Sequence, residues 1–242
     1  MRGWWQEISG LVLPVACGGC GVPRTPLCEK CAHELYGSAA RRARPVPEPA
    51  GLPVVYAAAP YTDAVRAALI AHKERGALGL ARPLGVALAG AVRAAVPRTV
   101  REAGPPLLLV PVPSARRTVR ARGHDAARRI ALAAAGELRR TGTEARALPV
   151  LRQWREVADQ SGLTARERVR NVTGALRVAG GAGRLLEGGR AVLVDDLMTT
   201  GASLAEATRA LTGAQRAGHF GFAQLNAAVV AAPPFSFEIN RN

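Results

Sequence analysis

Lysine is nearly missing from this chain: of its 33 basic residues only Lys30 and Lys73 are lysine, and the rest are arginine. Aromatic residues are scarce as well, at 4% of 242 positions. Ala, Val and Leu must therefore fill most of any core. The shortage also argues against a dedicated single-strand reader, which stacks bases on aromatic rings. No unbroken apolar run of about 18 residues occurs, so no membrane-spanning helix and no membrane insertion are expected. The first twenty residues hold one Arg, an early Glu7 and a short apolar patch before the cysteines begin. That is not the form of a secretory signal, and a cytoplasmic protein is expected. Acidic residues number only 18, which leaves a formal charge of +15. Such an excess suits a polyanionic partner. The same richness in arginine, alanine and glycine is what a GC-rich genome produces, so charge by itself does not identify a DNA-binding protein. A lysine kept where arginine is favoured singles out Lys73 as a residue for which a compact ammonium would matter, although chance survival is the more economical reading of any single residue.

Cysteine is confined to one place. All four lie between positions 17 and 31, as Cys17-Gly-Gly-Cys20 and Cys28-Glu-Lys-Cys31. Each C-x-x-C turn aims two thiolates at one point, and Gly18, Gly19 and Gly21 permit the backbone angles. Four thiolates satisfy tetrahedral zinc with no open position, so the site is expected to be structural. Two disulfides, free thiols or an iron–sulfur cluster are the alternatives. A reducing compartment disfavours the disulfides, and so short a segment does not fold alone without a staple. Trp4 and Trp5 are expected to rest against this knuckle.

The most telling stretch is 191–203, AVLVDDLMTTGAS. Four apolar residues suit a strand buried on both faces of a parallel sheet. They run into Asp195 and Asp196, then into hydroxyls, a glycine and a helix-forming segment. A helix N-terminus offers free N–H groups and partial positive charge to a phosphate, and Thr199, Thr200 and Ser203 add donors. Two carboxylates beside an anion site fit a ligand that also carries vicinal hydroxyls, because an ionised carboxylate only accepts. A ribose 5-phosphate has both parts. The bland alternative is an ordinary strand–turn–helix with a threonine cap.

Elsewhere strands and helices alternate. Strands are expected at 54–61, 107–113, 148–154, 174–178, 191–196 and 225–232, and helices at 62–72, 80–95, 125–140 and 202–212, with a short one at 33–36. This predicts an α/β fold with a parallel sheet flanked by helices, and a ligand beyond the carboxyl ends of its strands. Residues 37–53, rich in Pro, Gly and charge, read as a linker between a knuckle module (1–36) and the main domain (54–242). The Arg-rich turn after the second strand, with Arg116, Arg117, Arg120 and Arg122, suits pyrophosphate, or is a solvated basic loop. The polar excursion 155–171 has the form of a lid.

The 191–203 stretch resembles the phosphoribosyl-pyrophosphate (PRPP) loop of type I phosphoribosyltransferases. Together with Cys17–Cys31, Lys73-x-x-Gly76, Pro111-Val112-Pro113 followed by Arg122-Gly123, and the set Gln160, Leu163, Arg166 and Asn171, it makes the chain similar to the ComF family of phosphoribosyltransferase-like proteins. His124-Asp125 and Leu176 depart from that family's usual residues. The resemblance implies a type I phosphoribosyltransferase-like fold. Asp195 and Asp196 would hold the ribose hydroxyls, and Met198, Thr199, Thr200, Gly201, Ala202 and Ser203 would wrap the 5-phosphate. Lys73 would join the acids as a catalytic residue. Arg116 and Arg122 would face pyrophosphate, and Gln160 and Arg166, in the lid, would bind substrate. It implies Mg²⁺ with PRPP, zinc on Cys17, Cys20, Cys28 and Cys31, and transfer of phosphoribosyl to an acceptor that no residue identifies. It also implies a link to DNA uptake or nucleotide metabolism, with a DNA-translocating helicase and proteins that handle single-stranded DNA as partners. The alternatives are a non-catalytic PRPP sensor or single-stranded-DNA-binding accessory, and a plain salvage enzyme.

Overall fold

The computed structural model describes residues 16–157, 162, 164–216 and 225–237. Trp4, Trp5, Gln160 and Leu163 lie outside them. Six strands form the main sheet: β1 (Arg41–Ala43), β2 (Val54–Pro60), β3 (Leu107–Pro111), β4 (Ala145–Ala147), β7 (Arg190–Leu197) and β8 (Asn226–Ala232). Two more, β5 (Leu151–Gln153) and β6 (Leu176–Val178), make a separate antiparallel ribbon. The sheet order is β1-β2-β8-β7-β3-β4, and every pairing is parallel except that of the edge strand β1 with β2.

The helices are α1 (Glu29–Tyr36), α2 (Asp63–Glu74), α3 (Ala81–Ala95), α4 (Arg98–Ala103), α5 (Arg116–Arg122), α6 (Ala126–Arg140), α7 (Ala165–Val172) and α8 (Ala202–Arg216). The central strands hold unbroken apolar runs, Leu107–Pro111, Ala191–Val194 and Ala227–Ala232, because both faces are covered there. One face packs against α2, α3 and α6 through Val192, Val194, Leu84, Leu88 and Ile130. The other packs against α8 through Leu193, Val229, Leu204 and Leu211. Small residues let the helices approach closely. A methyl on Gly85 of α3 would lie 2.5 Å from Cβ of Ala133 on α6. Residues 78–95 are long and apolar enough to cross a membrane by composition. Here Leu84, Ala87, Leu88, Ala91 and Val92 of that stretch are core residues, which is the packing of a central helix of a folded domain.

Three expectations shift. The strand expected at 148–154 is shorter, β5 at 151–153, and belongs to the ribbon, while the sheet's strand β4 comes before the expected range, at 145–147. Pro149 stands between them and has no N–H to give a ladder. Within 37–53, read as a linker, Arg41–Ala43 pairs in register with Val55–Ala57 as the sheet's edge. The Arg-rich turn is a helix, α5, closed by Gly123 at φ +74°.

Candidate functional site

All the parallel strands of the sheet end on one edge, and the site is built there. Strand β7 is buried through Ala191–Val194 and then meets the acid pair. Successive strand residues point to opposite faces. Asp196 therefore continues the face of Val192 and Val194, and Asp195 that of Ala191 and Leu193.

On its side Asp196, 4% exposed, meets Lys73 from the last turn of α2. The ammonium nitrogen lies 3.1 Å from Oδ1 and 2.8 Å from Oδ2. Burial pulls the Lys73 pKa down, but the carboxylates of Asp196 and Asp195 outweigh it and hold it above the ordinary lysine value. On the other side Asp195 lines a shallow crevice with residues 197–204. Its Oδ1 accepts the backbone N–H of Asp196 at 2.8 Å. Burial, and then the neighbouring Asp196 carboxylate, raise the Asp195 pKa well above the usual carboxylate range, with Lys73 opposing. A carboxyl group held at that cost, facing a crevice, is a functional-site signature.

The loop after β7 is fixed by two contacts. The Met198 N–H donates to the Ala231 carbonyl at 3.0 Å, and Gly201 turns at φ +74° with Leu52 against it. A methyl at Gly201 would stand 2.9 Å from Leu52 Cδ1, so both backbone and space require glycine there. Helix α8 starts at Ala202, and its first-turn N–H groups have no intrahelical partner. Thr199 is exposed, and Thr200 and Ser203 are half-buried. The structure thus brings Asp195 and the residues Met198, Thr199, Thr200, Gly201, Ala202 and Ser203 into one crevice, with Asp196 and Lys73 behind it.

The segment 122–124 fastens α2 in place. Arg122 pairs with Glu74 at 2.5 Å. His124 sets Nε2 3.0 Å from the His72 carbonyl and Nδ1 3.1 Å from the Arg122 carbonyl. Both neighbours of Lys73 are thereby tied down. Arg116 opens α5, and Arg117 and Arg120 are exposed. Arg122 is committed to Glu74, so of the Arg turn it is the anchoring residue rather than a free phosphate ligand in this arrangement.

His72 is fully buried, and its Nε2 has no hydrogen-bond partner among the described residues. Burial lowers its pKa below the ordinary 6.5, only partly offset by the Ala77 carbonyl 3.3 Å from Nδ1. Below about pH 6.5 the unfolded chain takes up a proton that folded His72 resists. Stability should therefore fall as pH drops through and below that value. His72→Leu should flatten the slope, read as melting temperature between pH 7.5 and 5.

Helix α7 stands beside the loop. Thr164 and Glu167 form a capping box at its start, and Arg155 Nη2 donates to the Asn171 and Thr173 carbonyls at its end, at 2.9 and 2.6 Å. Arg166 is exposed. Arg168 turns inward instead, with Nη1 3.5 Å from Thr199 Oγ1. The sequence pattern held the signal: Val172 is the buried residue of α7, and Arg168 lies one turn before it on the same face, whereas Arg166 points away. His124 was legible only as a departure from the family pattern.

The four cysteines form a second centre, apart from this edge. Their Sγ atoms all lie within 4.8 Å of one another, and all four thiols are free. The Cys20 and Cys28 sulfurs are 3.6 Å apart. A tetrahedron of Zn–S bonds of about 2.3 Å has edges of about 3.8 Å, so the group fits a tetrahedral metal. The Cys28 N–H donates to Cys17 Sγ at 3.3 Å. Burial opposes the Cys17 thiolate, but the N–H groups of Cys20, Cys28 and Gly19 hold its pKa at about 6. Burial and the adjoining thiols push Cys31 up, a crowding that a bound cation relieves. A methyl on Gly19 would meet Cys31 Sγ at 2.7 Å, so the glycine is part of the cradle.

No family model matches this chain, and no curated protein matches it.

Proposed function

We propose that the chain is a ComF-like protein of type I phosphoribosyltransferase fold that binds PRPP, or a related ribose 5-phosphate, at the carboxyl edge of its sheet. The observation that carries this reading is Asp195: a carboxyl group at a strand end, facing the same crevice as the 198–203 loop and the start of α8. The anion sits on that loop, and the diol meets the acid. Lys73 keeps Asp196 charged and in place. The cysteine group holds zinc as a structural centre. Magnesium arrives with the diphosphate, whose oxygens and waters supply most of its ligands, so no protein cage is required. In transfer, the bond from ribose C1 to pyrophosphate breaks with its electron pair leaving on the diphosphate, and a nitrogen of the acceptor bonds to C1. The residues near the edge, Lys73 and the α5 arginines, supply positive charge for the leaving group.

The test is calorimetry of the intact chain with PRPP and Mg²⁺, followed by pyrophosphate release with a panel of bases. Saturable binding of PRPP is expected. Absence of binding at millimolar PRPP overturns the reading.

A second reading, a nucleic-acid-binding accessory, rests on the β5–β6 ribbon. Arg152 and Arg177 stand directly opposite each other there, and Arg177 lies 4.0 Å from the ring centre of Trp154, which is 65% exposed. Like charges paired across strands are unfavourable unless a partner neutralises them. Salt-dependent DNA binding without PRPP affinity would favour it.

A further inference from the structure

We propose that Arg168 is a ligand of the bound anion, closing the 198–203 loop from the α7 side with a guanidinium. The inference rests on the reading of that crevice as a sugar-phosphate site. Three observations meet at this residue. Its Nε is buried with no hydrogen-bond partner among the described residues. Among the described residues it has no carboxylate within ion-pair distance, and the nearest acid on its helix, Glu167, is committed to the Thr164 cap. Its Nη1 reaches Thr199 Oγ1, a hydroxyl of the loop itself, at 3.5 Å.

A guanidinium always carries its charge and has five donors. Leaving one of those donors desolvated and unmatched is unfavourable, and an anion on the loop supplies the missing acceptor. A phosphate monoester matches best, since its oxygens accept two parallel N–H bonds from such a fork. The helix that carries Arg168 is held at both ends independently of the crevice. Its start is set by the reciprocal Thr164–Glu167 cap, and its end by Arg155 on the Asn171 and Thr173 carbonyls. Arg168 is thus presented by a scaffold rather than by a free chain. Arg170 on the same helix is exposed and serves as an internal control.

The experiment is calorimetric titration of the full chain with ribose 5-phosphate and, separately, with inorganic phosphate. Wild type is expected to bind both. Arg168→Met, which keeps much of the side-chain stem, should weaken each by about 10- to 100-fold, the range of a charge-assisted hydrogen bond or two. Arg168→Lys should recover part of the loss, and Arg170→Ala should change affinity less than twofold. Circular dichroism and melting temperature establish that the variants are folded. If Arg168→Met is folded and binds as wild type does, this inference is overturned and the sugar-phosphate reading stands. If wild type binds neither anion, both are overturned. Equal losses in Arg168→Met and Arg170→Ala would mean general surface charge and would also overturn it.

Discussion

A chain carrying Asp195→Ala and Asp196→Ala is expected to keep its fold and to lose PRPP. Each hydroxyl-to-carboxylate bond is worth about 1.5–3 kcal/mol, so loss of the diol contacts should weaken binding at least about 100-fold. The fold should survive because the two changes act oppositely on stability. Asp195 is held with its pKa raised, by burial first and by Asp196 second. Such a group favours folding below the unfolded value of 3.8, and that contribution is lost as pH rises towards its folded value. At neutral pH, replacing it removes a penalty. Losing Asp196 leaves Lys73 unpaired, but the Lys73 side chain is 35% exposed and can turn to water. Asp195→Asn separates the effects: it should melt higher than wild type at pH 7, by a margin that shrinks towards pH 4, and still fail to bind. Undiminished PRPP affinity in the folded double variant would refute the assignment of the acids. A lower melting temperature for Asp195→Asn at pH 7 would refute the account of its burial.

The centre of the fold was legible because its signals are local and redundant. A strand segment buried on both faces must be apolar, as β7 is over Ala191–Val194 and β8 over Ala227–Ala232. The hydroxyl-glycine turn after β7 needs a positive φ that only its glycine supplies at ease, and Gly201 has it. Cysteine spacing encodes a cluster without reference to the rest of the chain. The parts that were missed depend on tertiary context. Arg41–Ala43 is too short and too charged to read as a strand, and it becomes one only because β2 offers an unpaired edge. The break between β4 and β5 turns on Pro149, where the chain must change sheets. The division of labour between the acids follows from period-two geometry, which sends Asp196 to Lys73, 123 positions away in sequence. The inward placement of Arg168 follows from its helical spacing to the buried Val172, which leaves Arg166 exposed.

Removing the metal from the cysteine group is expected to loosen far more than the knuckle. Metal binding in such modules is folding free energy, about 10–16 kcal/mol in isolated zinc-finger peptides. Here the module has other supports. Leu35 of α1 is buried in the core shared with α2 and α3, and Cys17 and Cys31 pack with Ala64 of α2. A methyl on Gly18 would meet Leu80, so the knuckle also lies against the start of α3. The net cost of Cys31→Ser should therefore be smaller, about 4 kcal/mol, or a fall of about 10 °C in melting temperature for a chain of this size. One zinc per chain should be released by a thiol-modifying reagent, measured with a colorimetric chelator. The consequence for the site follows from connectivity. The knuckle packs on α2, and α2 carries His72, Lys73 and Glu74, which make the contacts to His124, Asp196 and Arg122. A knuckle that lets go frees the helix that positions the ammonium. PRPP affinity should then fall in Cys31→Ser although no cysteine lines the crevice. Chelation that leaves both melting temperature and affinity unchanged would show that the four thiols hold no metal of consequence. A lowered melting temperature with full affinity would show that α2 keeps Lys73 in place without the knuckle.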